Sequence, residues 1–298
     1  MTLLKQNSTI NYDRFNNNLK EEIISFCNVL LKNVDSKYLD NFYNNINSLN
    51  IIQSPYNDIH KNSYHPEDNT IYIEKETAHE LIFHELFHMA SSKCEGDNIY
   101  CGFVEWTAED MIGKGLNEGY TQRLAEKYFN CDSTNVYYEE VLFAKLTELI
   151  VGEEEMSKFY FTSDLGGLIK ELEKYSSLED IMSFIETLDV INAYRMHCHT
   201  TQTDDMSLDV MVELHQEIKE FLLNAYITKI GKKLKQTQTK EELEENVLAL
   251  RDYVYEIMET NIMWNTKTKE EMEVLSPDYV EEAVSTGLGI EKIKLFEK

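Results

Sequence analysis

Three side chains in the segment HELFH have the types and spacing of a metal centre. His84 and His88 lie four residues apart, and Glu85 directly follows the first histidine. Residues four apart share one face of an α-helix, so both imidazole rings could reach the same ion. Glu85 would lie to the side, beside the water to be activated. The HExxH pattern therefore predicts two zinc ligands and a general base.

Apolar residues surround this motif and indicate that its helix is buried. They are Leu81, Ile82, Phe83, Leu86, Phe87 and Met89. Buried imidazole and carboxylate groups are costly unless they are paired or coordinated, which favours a metal site. So short a pattern also occurs by chance, and an accidental match in a helical interaction protein remains an alternative.

A second His-Glu pair, His79 and Glu80, has a different interpretation. Thr77 and Glu80 have the spacing of a capping box at the start of a helix. His79 would point about 140° and 180° away from His84 and His88 on the same helix. We therefore expect His79 to be exposed or packed rather than a ligand.

A catalytic zinc ion usually takes three protein ligands, so one more is needed. The pattern HExxHxxGxxH is not completed, because Ser91 and Cys94 replace its glycine and histidine. Cys94 or Cys101 could supply a thiolate, although thiolate-rich sites tend to be structural or redox centres.

The favoured third ligand is Glu118, thirty residues after His88 in GKGLNEGYTQRLAEKYF. An acidic residue near a helix start is also favoured by the helix dipole, which is the alternative explanation of Glu118. That alternative does not explain Gly119, since glycine costs a helix about 1 kcal/mol relative to alanine. A glycine there would let the helix approach a neighbour closely.

HELFH followed by GLNEGYTQ resembles the gluzincin group of zinc metallopeptidases, in particular bacterial gluzincin-like proteins with a CGF…GxGLNEGYTQ pattern. The resemblance covers residues 69–130, and its matching residues are Cys101, Gly102, Phe103, Gly113, Gly115, Leu116, Asn117, Glu118, Gly119, Tyr120, Thr121 and Gln122. It implies a thermolysin-like zincin architecture, in which His84, His88 and Glu118 bind Zn²⁺.

The resemblance also implies that Glu85 is the base and that strand 69–74 is a sheet edge, where an extended peptide substrate could pair. The gap between His88 and Glu118 is longer than in aminopeptidase-like members, so no particular substrate is implied.

The expected chemistry is amide hydrolysis. Zn²⁺ would activate water and polarise the scissile carbonyl group, while Glu85 would take a proton and pass it to the leaving amine. A further electrophile should stabilise the oxyanion, and in gluzincins a Tyr or His often does so. The catalytic candidates are Tyr194, His197 and His199 in NAYRMHCHTT, with His215 and Tyr137 behind them.

The elements that must position these residues are mostly helices, since 298 residues include only 3 prolines and 11 glycines. We predict a mostly α (α+β) protein: a polar, frayed N-terminus at 1–18, an α+β catalytic lobe at 19–135 and a helical lobe at 136–298. Segment 69–74 is predicted to be a short strand directly before the HExxH helix. Helices are predicted in LKEEIISFCNVLLKNV and DSKYLDNFYNNINSL, at 137–151, 154–161, 167–175, 178–194, 207–234 and 240–262, and in the tail.

Composition limits the partners. The net charge is −26, from 28 Lys and Arg against 54 Asp and Glu, which argues against nucleic acid or an anionic membrane as the main partner. One basic segment, KIGKKLKQTQTK, reads as a helix C-terminus favoured by the dipole, with a binding patch as the alternative. The oligomeric state is not indicated.

No signal peptide or transmembrane segment is evident, and the five cysteines are scattered. A reduced, cytoplasmic location fits best, with release by another route left open.

Three functional hypotheses follow. The first is an active zinc metallopeptidase, the second a zinc-bound but catalytically idle module that binds a peptide or regulates a partner, and the third the interaction protein with an accidental motif. Glu85 favours the first, because ligation alone does not require it.

Overall fold

The fold is that of a computed structural model that describes residues 10–15, 17–54, 62–74, 78–131, 137–201, 208–259, 262–265, 270–272, 275–291 and 295–296. It is mostly helical with a small amount of sheet, as predicted. The chain divides into two compact units: Met1–Ala144 with Glu153–Leu168, and Lys145–Gly152 with Ile169–Lys298.

The first half of the chain mixes helices and short strands. Its helices are α1 (Asn17–Asn33), α2 (Asp40–Ile46), α3 (Ala78–Ser91) and α4 (Lys114–Phe129); its strands are β1 (Asn50–Ser54), β2 (Ser63–His65), β3 (Thr70–Glu74), β4 (Ser92–Glu95), β5 (Asn98–Cys101), β6 (Val104–Trp106) and β7 (Met111–Ile112). The second half is almost entirely helical: α5 (Tyr138–Val151), α6 (Glu153–Thr162), α7 (Leu165–Leu172), α8 (Leu178–Thr201), α9 (Leu208–Gln236), α10 (Lys240–Glu259) and α11 (Pro277–Leu288). It also contains the hairpin of β8 (Ile262–Asn265) and β9 (Glu270–Met272), which was not predicted.

The HExxH helix, α3, is the core of the first unit. Its residues Ile82, Leu86 and Phe87 are at most 1% exposed. The ring of Phe87 meets that of Phe26 on α1 edge-on at 4.9 Å. Because α3 contacts α1, α2 and α4, its histidines are carried on a rigid, buried element.

Strand β3 confirms the predicted strand before HELFH, but its predicted place at a sheet edge is wrong. The sheet order is β1-β3-β2, with β3 parallel to β1 and antiparallel to β2. The chain before β3 supplies both of its neighbours, β1 and β2. The central position of β3 agrees with the full burial of its apolar residues Ile71 and Ile73. A peptide therefore cannot pair with β3; the edges are β1 and β2.

A four-stranded antiparallel meander, β4-β5-β6-β7, follows α3 and was not predicted. Its first turn contains Gly96 at φ +66°, and Gly102, at φ +56°, lies between β5 and β6. Pairing of Ser92 with Cys101 returns the chain to the end of α3, where the N–H of Gly102 donates to the carbonyl oxygen of Ser91. The meander thus brings Cys101 close to the second histidine of HELFH.

Helix α4 begins after Gly113, whose φ of +87° favours glycine, and ends at Asn130 in the left-handed region. Within it, a Cβ at Gly119 would lie 2.1 Å from the carbonyl oxygen of Glu140 on α5. This confirms the predicted close approach and shows which helix makes it.

Two helices of the second unit begin with a side-chain cap. The N–H of Glu242 donates to Thr239 Oγ1 and a carboxylate oxygen of Glu242 accepts from the Thr239 N–H, which forms a capping box at the start of α10. The tail forms α11, capped by Ser276.

The segment KIGKKLKQTQTK contains the C-terminus of α9, and Lys233 and Lys235 lie in its last turn, as the helix-terminus interpretation predicts. Lys229 Nζ donates to the carbonyl oxygen of Leu149 in the last turn of α5, and Lys232 Nζ donates to that of Lys174. Both lysines therefore satisfy carbonyl groups close to helix ends. In the described parts of the chain, no helix combines the length and apolar character that crossing a membrane requires.

The observed units differ from the predicted lobes. The first unit extends beyond residue 135 to Ala144 and takes Glu153–Leu168 as well, because α5 begins against α4 at Gly119 and Tyr160 of α6 bonds to Thr121 of α4. Residues 1–9 of the predicted frayed terminus lie outside the described residues. Residues 10–15 include buried Ile10 and Phe15, whose apolar side chains fix this part of the chain.

Candidate metal centre

Helices α3 and α4 bring the three predicted ligands together. The Nε2 atoms of His84 and His88 lie 2.9 Å apart. Glu118 Oε2 lies 3.2 Å from the first of these nitrogens and 3.4 Å from the second. Two residues one turn apart on α3 thus face a carboxylate from the first half of α4.

The size of this triangle suits a zinc ion. With zinc–ligand distances of about 2.0–2.1 Å and tetrahedral angles, neighbouring ligand atoms would lie about 3.3 Å apart. The three measured separations lie within a few tenths of an ångström of that value. Two imidazole nitrogens and one carboxylate oxygen also match a catalytic zinc site that leaves its fourth position for water or substrate.

The site is buried and charged. His84 and His88 are 8% and 7% exposed. Across the described ranges, their group with Glu118 is the one set of three or more His, Cys, Asp or Glu side chains whose ligand atoms could surround an ion. Burial of this kind is costly for ionisable groups unless an opposite charge or a cation compensates it.

The three groups also compensate each other's charge. Burial acts to raise the pKa of Glu118, but His88 and His84 outweigh it and hold that pKa well below its ordinary value. Burial acts to lower the pKa of His88, but the Glu118 carboxylate outweighs it and holds that pKa well above its ordinary value. The ionised form of Glu118 and the protonated form of His88 therefore stabilise each other, and a divalent cation could take the place of that proton.

Glu85 has the environment of a base that can accept and release a proton. It is 6% exposed, and burial raises the pKa of its carboxyl group, while the neighbouring His84 and His88 act to lower it. The backbone N–H of Tyr64 in β2 hydrogen-bonds to this carboxylate. The small sheet therefore holds Glu85 in place beside the two histidines.

The outer nitrogen of each histidine has its own partner. His84 Nδ1 lies 2.9 Å from Gln122 Oε1. His88 Nδ1 lies 3.6 Å from Cys101 Sγ and 3.3 Å from Asn117 Nδ2. None of these partners was assigned from the sequence, although Gln122 follows Glu118 by four residues, a spacing that places both on one helix face.

The structure explains why Asn117, Glu118 and Gly119 stand next to each other in α4. Asn117 is 1% exposed, and its Oδ1 accepts the N–H of Phe103 at 3.0 Å. A Cβ at Gly102 would lie 2.1 Å from that same oxygen, so glycine is required there. Glu118 supplies the carboxylate, and Gly119 allows α5 to lie against α4.

The contact between α4 and α5 carries a further aromatic residue to the site. Tyr137, directly before α5, stacks on His84 with ring centroids 5.5 Å apart and an interplanar angle of 9°. Burial and the carboxylates of Glu118, Glu85 and Glu140 raise the pKa of Tyr137 well above its ordinary value, and its side chain hydrogen-bonds to Glu118. Tyr137 was predicted only as a candidate behind Tyr194, His197 and His199.

The preferred oxyanion candidates belong to the second unit. Tyr194 and His197 lie on α8, and the side chain of His199 is outside the described residues. His215 is fully buried on α9, and its Nδ1 bonds to the carbonyl oxygen of Met211. The roles predicted for Tyr194, His197 and His199 remain predictions.

The other candidate ligands lie outside the cluster. His79 is exposed, as predicted, and its Nδ1 contacts Glu22 on α1. The proposed capping box before it falls on Thr77, which is outside the described residues. Cys94 is exposed on β4 and bonds to the carbonyl oxygen of Pro66. Cys101 faces Nδ1 of His88 rather than joining the ligand atoms.

The chain matches no protein-family model, no curated protein and no solved structure. The functional assignment therefore depends on the site.

Proposed function

We propose that this protein is a zinc-dependent metallopeptidase with a thermolysin-like arrangement of its HExxH and glutamate-bearing helices. The observation that carries this proposal is the convergence of both His84 and His88 Nε2 atoms on Glu118 Oε2, at separations suited to one zinc ion. The buried Glu85 beside them supports a catalytic role over a purely structural one.

Each residue of the site has a role in this proposal. A bound zinc ion supplies Lewis acidity toward the scissile carbonyl group and the attacking water. His84, His88 and Glu118 hold the ion. Glu85 accepts the proton of the attacking water, and its raised pKa lets it pass that proton to the leaving amine.

Tyr137 is the hydroxyl donor that the geometry supports for the oxyanion. It stacks on His84, and its side chain already reaches Glu118 in the ligand set. A donor fixed at the site before the reaction stabilises developing charge without reorganisation.

Metal analysis and a single substitution test the proposal. Purified protein should bind one zinc ion per chain and cleave members of a peptide library. The variant Glu85→Gln should retain zinc but lose activity by about 10²–10⁴-fold, because the base is removed while the ligands remain. Absence of stoichiometric zinc in the wild-type protein would contradict the metal centre, and equal cleavage by Glu85→Gln would contradict the assigned base.

A further inference from the structure

We infer that one exposed row of side chains on the β4–β7 meander is a docking surface for a segment of another protein that combines apolar and basic residues. Each strand contributes one residue to this row, which consists of Cys94, Ile99, Trp106 and Met111. The inference does not depend on the proposed metal centre, because none of the four residues belongs to it.

The register of the meander builds the row. Cys94 pairs with Ile99, Ile99 pairs with Trp106, and Trp106 pairs with Met111. Residues that lie directly opposite each other in an antiparallel sheet project from the same face, with Cβ atoms about 4.5–5.5 Å apart. The four side chains therefore form a continuous row, about 14 Å long at a strand spacing of about 4.8 Å.

This row is exposed, whereas the next row on the same face is covered. Ser92 and Cys101 of that next row are buried against the end of α3. In the exposed row, Trp106 and Met111 have 47% and 44% of their surface accessible to solvent. Single exposed apolar residues are ordinary, but adjacent ones indicate an interaction site, and tryptophan and methionine are enriched in protein interfaces.

Carboxylate groups surround the row. The β4–β5 and β6–β7 turns lie at its end of the meander, and the Cys94 thiol bonds to the carbonyl oxygen of Pro66 in the β2–β3 turn at 3.6 Å. The meander contains a single basic residue, Lys93, which pairs with Glu95 at 2.7 Å. An acidic rim of this kind attracts a basic partner. The exposed acidic residues of the three turns are Glu67, Asp68, Glu95, Asp97, Glu109 and Asp110.

Charge and length together define the occupant. Two copies of this chain that met on the row would bring two sets of acidic turns together, and like charges across an interface oppose association. A basic segment meets no such repulsion. In an extended segment, three apolar side chains at alternate positions span about 13–14 Å, which matches the length of the row.

A labelled peptide tests the inference. The probe has blocked ends, a Leu-Ser-Phe-Ser-Leu core and two lysines on each side. Its fluorescence anisotropy is measured with the full-length protein at low ionic strength, in the presence of a chelator so that the proposed peptidase cannot cleave it. We expect saturable binding. The same core flanked by glutamates, and a lysine-flanked core of serines alone, should each bind at least about tenfold more weakly.

Substitutions in the row and in its rim should each reduce affinity for the probe. Trp106→Ala should weaken binding by about tenfold or more, because large aromatic residues dominate interface energetics. Asp97→Asn combined with Glu109→Gln should weaken binding by about threefold at low salt, and this difference should disappear at high salt.

Matched controls lie away from the row. Ile52→Ala removes an apolar side chain on β1 that is 40% exposed. Glu241→Gln combined with Glu245→Gln changes the net charge by the same amount on exposed positions of α10. Both control variants should bind the probe with wild-type affinity.

Trp106 also reports directly on docking. It is one of two tryptophans in the chain, so Trp264→Phe leaves it as the sole emitter, and its emission should move to shorter wavelength when the probe covers it. Wild-type affinity in a folded Trp106→Ala would overturn the inference. Should that variant fail to fold, an unchanged Trp106 emission in Trp264→Phe at saturating probe would overturn it. A dimer in sedimentation that Trp106→Ala dissociates would assign the row to a second copy and overturn it as well.

Discussion

Two glutamates lie close to the same pair of histidines, yet their environments separate their roles. Glu118 faces both rings, which outweigh its burial and hold its pKa low, so it stays ionised as a ligand must. Glu85 directly follows His84 in the sequence, but burial outweighs the effect of His84 and His88 and raises the pKa of its carboxyl group. Two nearby carboxyl groups whose pKa values are shifted in opposite directions are typical of sites that perform acid–base chemistry.

Removing the hydroxyl group of Tyr137 tests its place in the proposed reaction. Tyr137→Phe keeps the ring on His84 but removes the donor, so we expect kcat to fall by about 10²–10³-fold while zinc content is retained. Steady-state kinetics with metal analysis would measure this. Tyr194→Phe is the matched comparison, and a large loss in that variant with none in Tyr137→Phe would return the oxyanion role to the second unit.

The ligand residues could be predicted because their spacing is local or carried by a motif. Gln122 was also accessible, since it lies one helical turn beyond Glu118. Cys101 and Tyr137 were not, because their contacts depend on the meander and on the packing of α5 against α4. Long-range contacts of this kind leave no periodic signal in the sequence.

At the scale of elements, α4 packs closely against α5 because Gly119 has no side chain. Gly119 lets the α5 backbone approach, and Tyr137 directly precedes α5. Glycine in a helix interior lowers helix stability by about 1 kcal/mol relative to alanine. That cost is small beside the clash that any larger residue would create.

Gly119→Ala tests this contact. The new methyl group would lie 2.1 Å from the Glu140 carbonyl oxygen, so we expect a loss of about 1–3 kcal/mol in the free energy of unfolding from overpacking. We also expect weaker zinc binding, because Glu118 is adjacent. Denaturant unfolding and chelator competition would measure both effects.

Gly166→Ala is the control for that variant, since its nearest neighbouring atom would be 3.9 Å away. It should be neutral or slightly stabilising. Wild-type stability and affinity in Gly119→Ala would show that α4 and α5 do not need this close approach.

Helices were easier to predict than strands in this chain. Helix α9 was predicted at 207–234 and is observed at Leu208–Gln236, because this long segment contains no proline and only one glycine to interrupt it. Strands β4 to β7 have two to four residues each, too few for an alternating pattern to emerge. The central place of β3 depends on pairing with distant segments, which its own residues do not reveal.

At the scale of the whole molecule, the net charge of −26 should influence which peptides reach the site. For the proposed peptidase, a substrate flanked by lysines should have a higher kcat/KM at low ionic strength than the same substrate flanked by glutamates. The difference should shrink as salt is added, because screening shortens the range of the attraction. A preference that does not change with salt would place its origin in direct contacts at the site.

The close-packed face of α4 also defines a search pattern for other proteins. Asn117, Glu118, Gly119 and Gln122 each meet a separate geometric demand, whereas Leu116 before them and Tyr120 among them are buried core positions. The expected signature is therefore HExxH followed by N-E-G-x-x-Q, with a glycine where the preceding loop meets the asparagine. Chains that share it should build the same centre even where the rest of their sequence has diverged.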